Sequence, residues 1–103
     1  MDKTITKHAN ERIRERMGIQ KKSVNSVAER AYEKGLTHGE TKGNLFKYIN
    51  TVLDKNHRVG AEVRIYAEKV FVYSETKLIT VLPLPANLRS IANKLYKKKN
   101  GEQ

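Results

Sequence analysis

His8, Arg12 and Arg16 recur every four residues near the start of the chain. On a helix each such step drifts by only about 40°, so the three side chains share one flank. An imidazole moves protons near neutral pH. A guanidinium supplies a permanent forked donor suited to phosphate. Breaking an RNA phosphodiester without a metal needs both: a proton-transfer group, and fixed cations where charge develops. The trio therefore supplies catalytic candidates, with His8 moving the proton and Arg12 and Arg16 holding the phosphate. A solvated helix face pairing with Glu11 or Glu15 is the structural alternative.

The remaining candidates are fewer. His38 and His57 lie in Gly-flanked or polar loops, and either could approach His8 to make an acid/base pair. The three histidines show no close ligand spacing, so no metal site and no cofactor is expected. No P-loop and no GxSxG is present. Cysteine is absent, which removes disulfides, thiolate ligands and a thiol nucleophile.

The elements that must position these groups follow from the apolar spacing. Ile5, Ala9, Ile13 and Met17 make the inner stripe of a helix over 7–17, capped by Thr6 and stopped by Gly18. Val24, Val27, Ala28, Ala31 and Tyr32 predict a second helix over 21–34, ending at Gly35. A polar loop, LTHGETKG, precedes a third helix over 45–55, with Leu45, Tyr48, Ile49, Val52 and Leu53 inward. After Gly60 the period changes from helical to alternating. Strands are expected over 62–66, 69–74 and 77–82, joined by the two-residue turns Ala67-Glu68 and Glu75-Thr76. Pro83 and Pro85 end the last strand, and a final helix runs over 86–98 with Leu88, Ile91, Ala92 and Leu95 on one face. The fold class is α+β: N-terminal helices, a three-stranded antiparallel meander and a C-terminal helix. One domain spans 1–103, with residues 1–5 and 97–103 expected to be flexible ends.

Tight turns at both hairpins would place Val63, Ile65, Val70, Val72, Ile79 and Val81 on one sheet face, under the helices. The other face would carry Arg64, Tyr66, Phe71, Tyr73, Leu78, Thr80 and Leu82, with Arg64, Phe71 and Thr80 in a row. That mixed face offers Arg64, Tyr73 and Thr80 as nucleic-acid contacts. The alternative is that the last helix covers it.

The chain has 103 residues, with 21 Lys and Arg against 11 Asp and Glu, a net charge of +10. Such a balance is the footprint of a polyanion binder, nucleic acid first, an acidic protein second and an anionic membrane surface third. No apolar run is long enough to span a membrane and the start is not a signal peptide, so a cytoplasmic protein without membrane association is expected.

The segments ITKHANERIRERMGI, EKGLTHGE and RIYAEKVFVYSETKLITVLPLP, in that order, resemble small basic phage- and prophage-encoded proteins of Gram-positive bacteria over roughly residues 4–89. The HAxxRIxxR helix followed by a short antiparallel sheet is also similar to the barnase/EndoU/colicin/RelE-like ribonuclease folds, which include many toxins. The resemblance implies a toxin-like, RNA-cleaving or RNA-binding protein of the host cytoplasm. His8 and Arg12 would then be active-site residues, Arg16 would support them and Thr80 would face the same pocket. It also allows an antitoxin, or a host or defence protein that the chain inhibits. Three functions follow as expectations: a metal-independent ribonuclease, a non-catalytic nucleic-acid binder, and an inhibitor that docks on an acidic protein.

Overall fold

The computed structural model describes residues 24–56 and 60–101. His8, Arg12, Arg16 and His57, and the helix expected over 7–17, lie outside those residues. Among the described residues there are three α-helices and three strands: α1 (Val24–Lys34), α2 (Gly43–Lys55), β1 (Ala61–Tyr66), β2 (Lys69–Ser74), β3 (Lys77–Pro83) and α3 (Ala86–Asn100). The strands form an antiparallel sheet in the order β1-β2-β3, so the protein is α+β.

Alternation in β1 and β2 sorts their side chains as the sequence suggests. Val63 faces Val72 and Ile65 faces Val70 across the ladder. These four, with Leu45, Ile49 and Val52 of α2 and Leu88 and Ala92 of α3, make one buried cluster. Full burial of each larger aliphatic side chain there contributes about 1.5–3 kcal/mol. The spacing of Leu45, Ile49 and Val52, and of Leu88 and Ala92, is the helical period expected of faces that lie on a sheet.

The third strand departs from the expected register. Tyr73 pairs with Leu78, but Val72 pairs with Thr80 and Phe71 with Val81, so β3 holds an extra residue at Ile79. A bulge of this kind reverses which face the following residues occupy. Thr80 and Leu82 therefore join the face of Val70 and Val72, and Val81 moves to the face of Phe71. The expected row of Arg64, Phe71 and Thr80 is instead Arg64, Phe71 and Val81.

The second face is covered as well, by α1 and not by the final helix. Ala28 and Ala31 are wholly buried against Phe71, Tyr73, Leu78 and Val81. Two small side chains let the α1 backbone come close to the rings of the sheet. Tyr73 donates its hydroxyl to the Ala28 carbonyl at 2.8 Å, and Tyr32 meets it edge-on, with ring centroids 5.0 Å apart.

Both hairpins close in two residues, as expected, and all four turn residues have positive φ: Ala67 50°, Glu68 61°, Glu75 50° and Thr76 67°. This is the turn geometry that usually selects Asn-Gly. Here the twist of the flanking strands imposes it on residues that disfavour it, at about 1–2 kcal/mol each.

The loop after α1 is more ordered than its polar composition suggests. Leu36 forms a bridge with Ile65, exchanging both backbone hydrogen bonds at 3.0 and 2.9 Å. His38–Glu40 then make a turn of 3₁₀ helix. At the other end of the chain, α3 runs through residues expected to belong to a tail. Lys99 explains why: its ammonium donates to the Gly35 carbonyl at 2.7 Å and to Glu40 Oε1 at 2.8 Å. The helix then stops at Gly101, whose φ of 70° suits a left-handed cap.

Candidate functional site

Among the described residues, groups able to move protons and hold anions converge where the loop after α1 meets the start of β1. Thr37, His38 and Gly39 on one side and Glu62 and Arg64 on the other line a hollow of about 190 Å³, with Leu53 of α2 at its base.

His38 is held from two directions by α2. Phe46 and Asn50, four residues apart, stand on one ridge of that helix. The imidazole stacks on Phe46, with centroids 4.8 Å apart and planes 6° from parallel. Its Nε2 lies 2.6 Å from Asn50 Oδ1. An amide oxygen only accepts, so with Asn50 Oδ1 as the partner Nε2 is the donor in this contact. Behind it, the His38 carbonyl accepts from the Thr41 hydroxyl at 2.6 Å. Phe46 keeps 37% of its surface exposed and is the one exposed large hydrophobic side chain among the described residues.

Glu62 and Arg64 are two apart on β1 and therefore point the same way. Arg64 Nη2 donates to Glu62 Oε1 at 3.4 Å. Its Nε donates to the Tyr32 carbonyl and its Nη1 to the Val63 carbonyl, both at 2.9 Å. The guanidinium carbon lies 4.3 Å from the Tyr32 ring centroid, a cation–π contact. Tyr32 donates its hydroxyl to Glu62 Oε2 at 3.0 Å. Burial, and then the Glu62 carboxylate that accepts this bond, raise the Tyr32 hydroxyl above its ordinary value. The arrangement offers an imidazole, a half-exposed carboxylate and an oriented guanidinium, the parts for proton transfer beside a bound anion.

A second contact fixes the loop that carries His38. Glu40 Oε1 accepts from the Thr37 backbone at 2.9 Å, from the Thr37 hydroxyl at 3.1 Å and from Lys99. Burial by itself would raise this carboxyl, but the hydrogen bonds from Lys99 and Thr37 outweigh it and hold Glu40 below its ordinary 4.5. A folded value below the unfolded one means the stabilisation is full above 4.5 and drains away as pH falls through the lower folded value. Thermal melts are expected to show a falling midpoint below about pH 4.5. Glu40→Gln should flatten that decline, and an unchanged acid limb in the variant would mean that other carboxylates carry it.

The three sheet residues expected to contact nucleic acid are not brought together. Arg64 lines the hollow. Tyr73 is wholly buried under α1, where burial drives its hydroxyl far above the ordinary value, so its surface is spent on the core. Thr80 keeps 8% of its surface and lies on the opposite face, because of the bulge in β3. What sequence reading missed is the set of Phe46, Asn50 and Glu62. The four-residue spacing of the first two, and the two-residue spacing of Glu62 and Arg64, were visible signals. Their meeting with His38 depends on the Leu36–Ile65 bridge, which no local pattern announces.

Among the described residues no group of three His, Cys, Asp or Glu is placed to hold a metal ion. No described helix is long and apolar enough to cross a membrane. Comparison with protein-family models, curated proteins and solved structures finds no match to this chain.

Proposed function

We propose that the protein acts on RNA, holding the phosphate backbone on its lysine-rich surface and cutting it by metal-independent general acid/base transfer. The observation that carries this reading is the meeting of His38, Glu62 and Arg64 in one hollow of a chain with net charge +10. Exposed lysines around the fold support it. Lys42, Lys47, Lys97 and Lys98 take part in no ion pair among the described residues, where only Arg64–Glu62 and Lys99–Glu40 are paired. Two imidazoles compete for the proton-transfer role: His8, which follows from its four-residue spacing with Arg12 and Arg16 in the sequence, and His38, oriented by Asn50. In this reading the protein is a ribonuclease-like, toxin-like protein of a bacterial cytoplasm, and its partner is RNA.

One observation favours a second reading, an RNA binder that does not cut. Arg64 is already paired with Glu62 and bonded to two carbonyls, so a phosphate would have to displace an internal partner.

End-labelled RNA incubated with the protein in EDTA separates the readings. Cleavage is expected, with loss in either His8→Ala or His38→Ala while circular dichroism and RNA binding persist. The variant that loses cleavage identifies the imidazole. Binding without cleavage by the unsubstituted protein selects the second reading. Absence of RNA binding at physiological salt overturns both, and leaves an acidic protein as the polyanion.

A further inference from the structure

A hollow of about 250 Å³, larger than the one beside His38, opens at the far end of β1, between the β1–β2 turn and α3. Its walls are aromatic. The rings of Tyr66 and Tyr96 stand 6.0 Å apart between centroids and 60° from parallel. Tyr66 is steadied from behind by Phe71, edge-on at 6.3 Å. Ala92 makes a small, buried floor. The polar side is formed by Glu68 and Asn93, whose amide donates to Glu68 Oε2 at 3.0 Å.

Glu68 is well fixed for a turn residue. Its backbone is set by the left-handed turn, and its carbonyl accepts from the Leu84 amide at 3.2 Å. Asn93 uses one lone pair of a carboxylate that has about four. The pocket thus combines two ring walls, an apolar floor and an oriented acceptor edge. Its complement is a flat heteroaromatic ring bearing N–H donors on its rim. Unstacked RNA bases are recognised in this manner, by aromatic side chains against the ring and hydrogen bonds to its edge.

We infer that this pocket takes one unstacked RNA base, whose rim N–H groups donate to Glu68 while its ring packs against Tyr66 and Tyr96. The inference rests on the RNA reading above and adds a base-specific site to it. Guanine fits best, because its ring N–H and adjacent amino group offer two neighbouring donors to one carboxylate. The other bases offer a single donor group at any one edge position. Arg64 and Glu68 are four residues apart along the same chain segment, so the base pocket and the His38 hollow can serve one strand of RNA.

The full-length protein, labelled with nitrogen-15, would be titrated with GMP, with UMP and with ribose 5-phosphate. GMP is expected to move the amide signals of Ala67, Glu68, Asn93 and Tyr96. UMP should act more weakly there, and ribose 5-phosphate should leave them in place. Glu68→Gln, which keeps the side-chain shape, should weaken GMP by about tenfold, the low end for a hydrogen bond to a charged group. Equal responses to GMP and ribose 5-phosphate would overturn the proposal, as would full GMP affinity in Glu68→Gln. RNA that binds while GMP leaves these amides unmoved would sink the pocket and spare the RNA reading. GMP binding at these residues without RNA binding would do the reverse.

Discussion

Gly35→Ala is expected to lower the melting temperature on the order of 15 °C. Gly35 is the residue at which α1 ends and the chain turns to bridge β1. Its amide donates to the Ala31 carbonyl at 2.8 Å, closing the last helical turn. A methyl group there would lie 2.5 Å from the Ala31 carbonyl oxygen, 3.0 Å from Arg64 Cβ and 3.1 Å from the Ile65 carbonyl oxygen. Two of these neighbours are backbone atoms in hydrogen-bonded structure and cannot swing aside. The α1 helix would have to lift from the sheet, loosening Ala28 and Ala31 over Phe71 and Tyr73. Overpacking of this kind costs about 3 kcal/mol at the upper end of its usual range. In a domain of this size each kcal/mol shifts the midpoint by roughly 4–8 °C. Gly39→Ala is the control, since a methyl group there meets nothing within 4 Å. Thermal unfolding followed by circular dichroism should separate the two variants clearly. A Gly35→Ala midpoint equal to that of Gly39→Ala would mean that α1 does not seat this closely on β1.

RNA affinity is expected to fall steeply with salt. Each phosphate neutralised on a single strand contributes about −0.7 to the slope of log K against log salt. Six such contacts would lower affinity roughly 300-fold between 50 and 200 mM salt. Lys97 and Lys98 are exposed on the last turns of α3 and free to serve as such contacts. Changing either to Gln should reduce the slope by about 0.7 and leave the melting temperature unchanged. Lys99 should behave differently. It holds Gly35 and Glu40, so Lys99→Gln should lower stability as well as affinity. Fluorescence anisotropy with a labelled oligonucleotide over a salt series measures all of this. A flat salt dependence with intact affinity would show that phosphate attraction is not what binds the RNA.

The contrast among these neighbouring lysines illustrates what a sequence can and cannot convey here. Helical spacing located α2 and α3 and their inward residues to within a turn, because a single apolar stripe has only one way to face a sheet. Alternation located all three strands and both two-residue turns. The register of β3 was not legible. In Leu78-Ile79-Thr80-Val81-Leu82 four of five residues are apolar, so either face tolerates burial and the bulge is decided by packing against Phe71 and Tyr73. Tyr73 read as a ligand contact because a mixed face looks open until a helix is known to cover it. Two alanines in α1 made that covering close enough to bury the ring completely. Lys99 read as a solvated end because its two acceptors lie some sixty residues away in the chain. The candidate site was legible only in fragments: His38 and Arg64 as residue types, without Glu62 and without the fold that gathers them.

The bridge between Leu36 and Ile65 bears on how any macromolecule can approach this edge. It occupies both main-chain hydrogen-bonding groups of Ile65, the last residue but one of the edge strand β1. An incoming peptide cannot extend the sheet there by β-augmentation, since the groups it would need are already spent. A partner that reads this side must do so through side chains and charge, which suits a flexible polyanion better than an extended polypeptide.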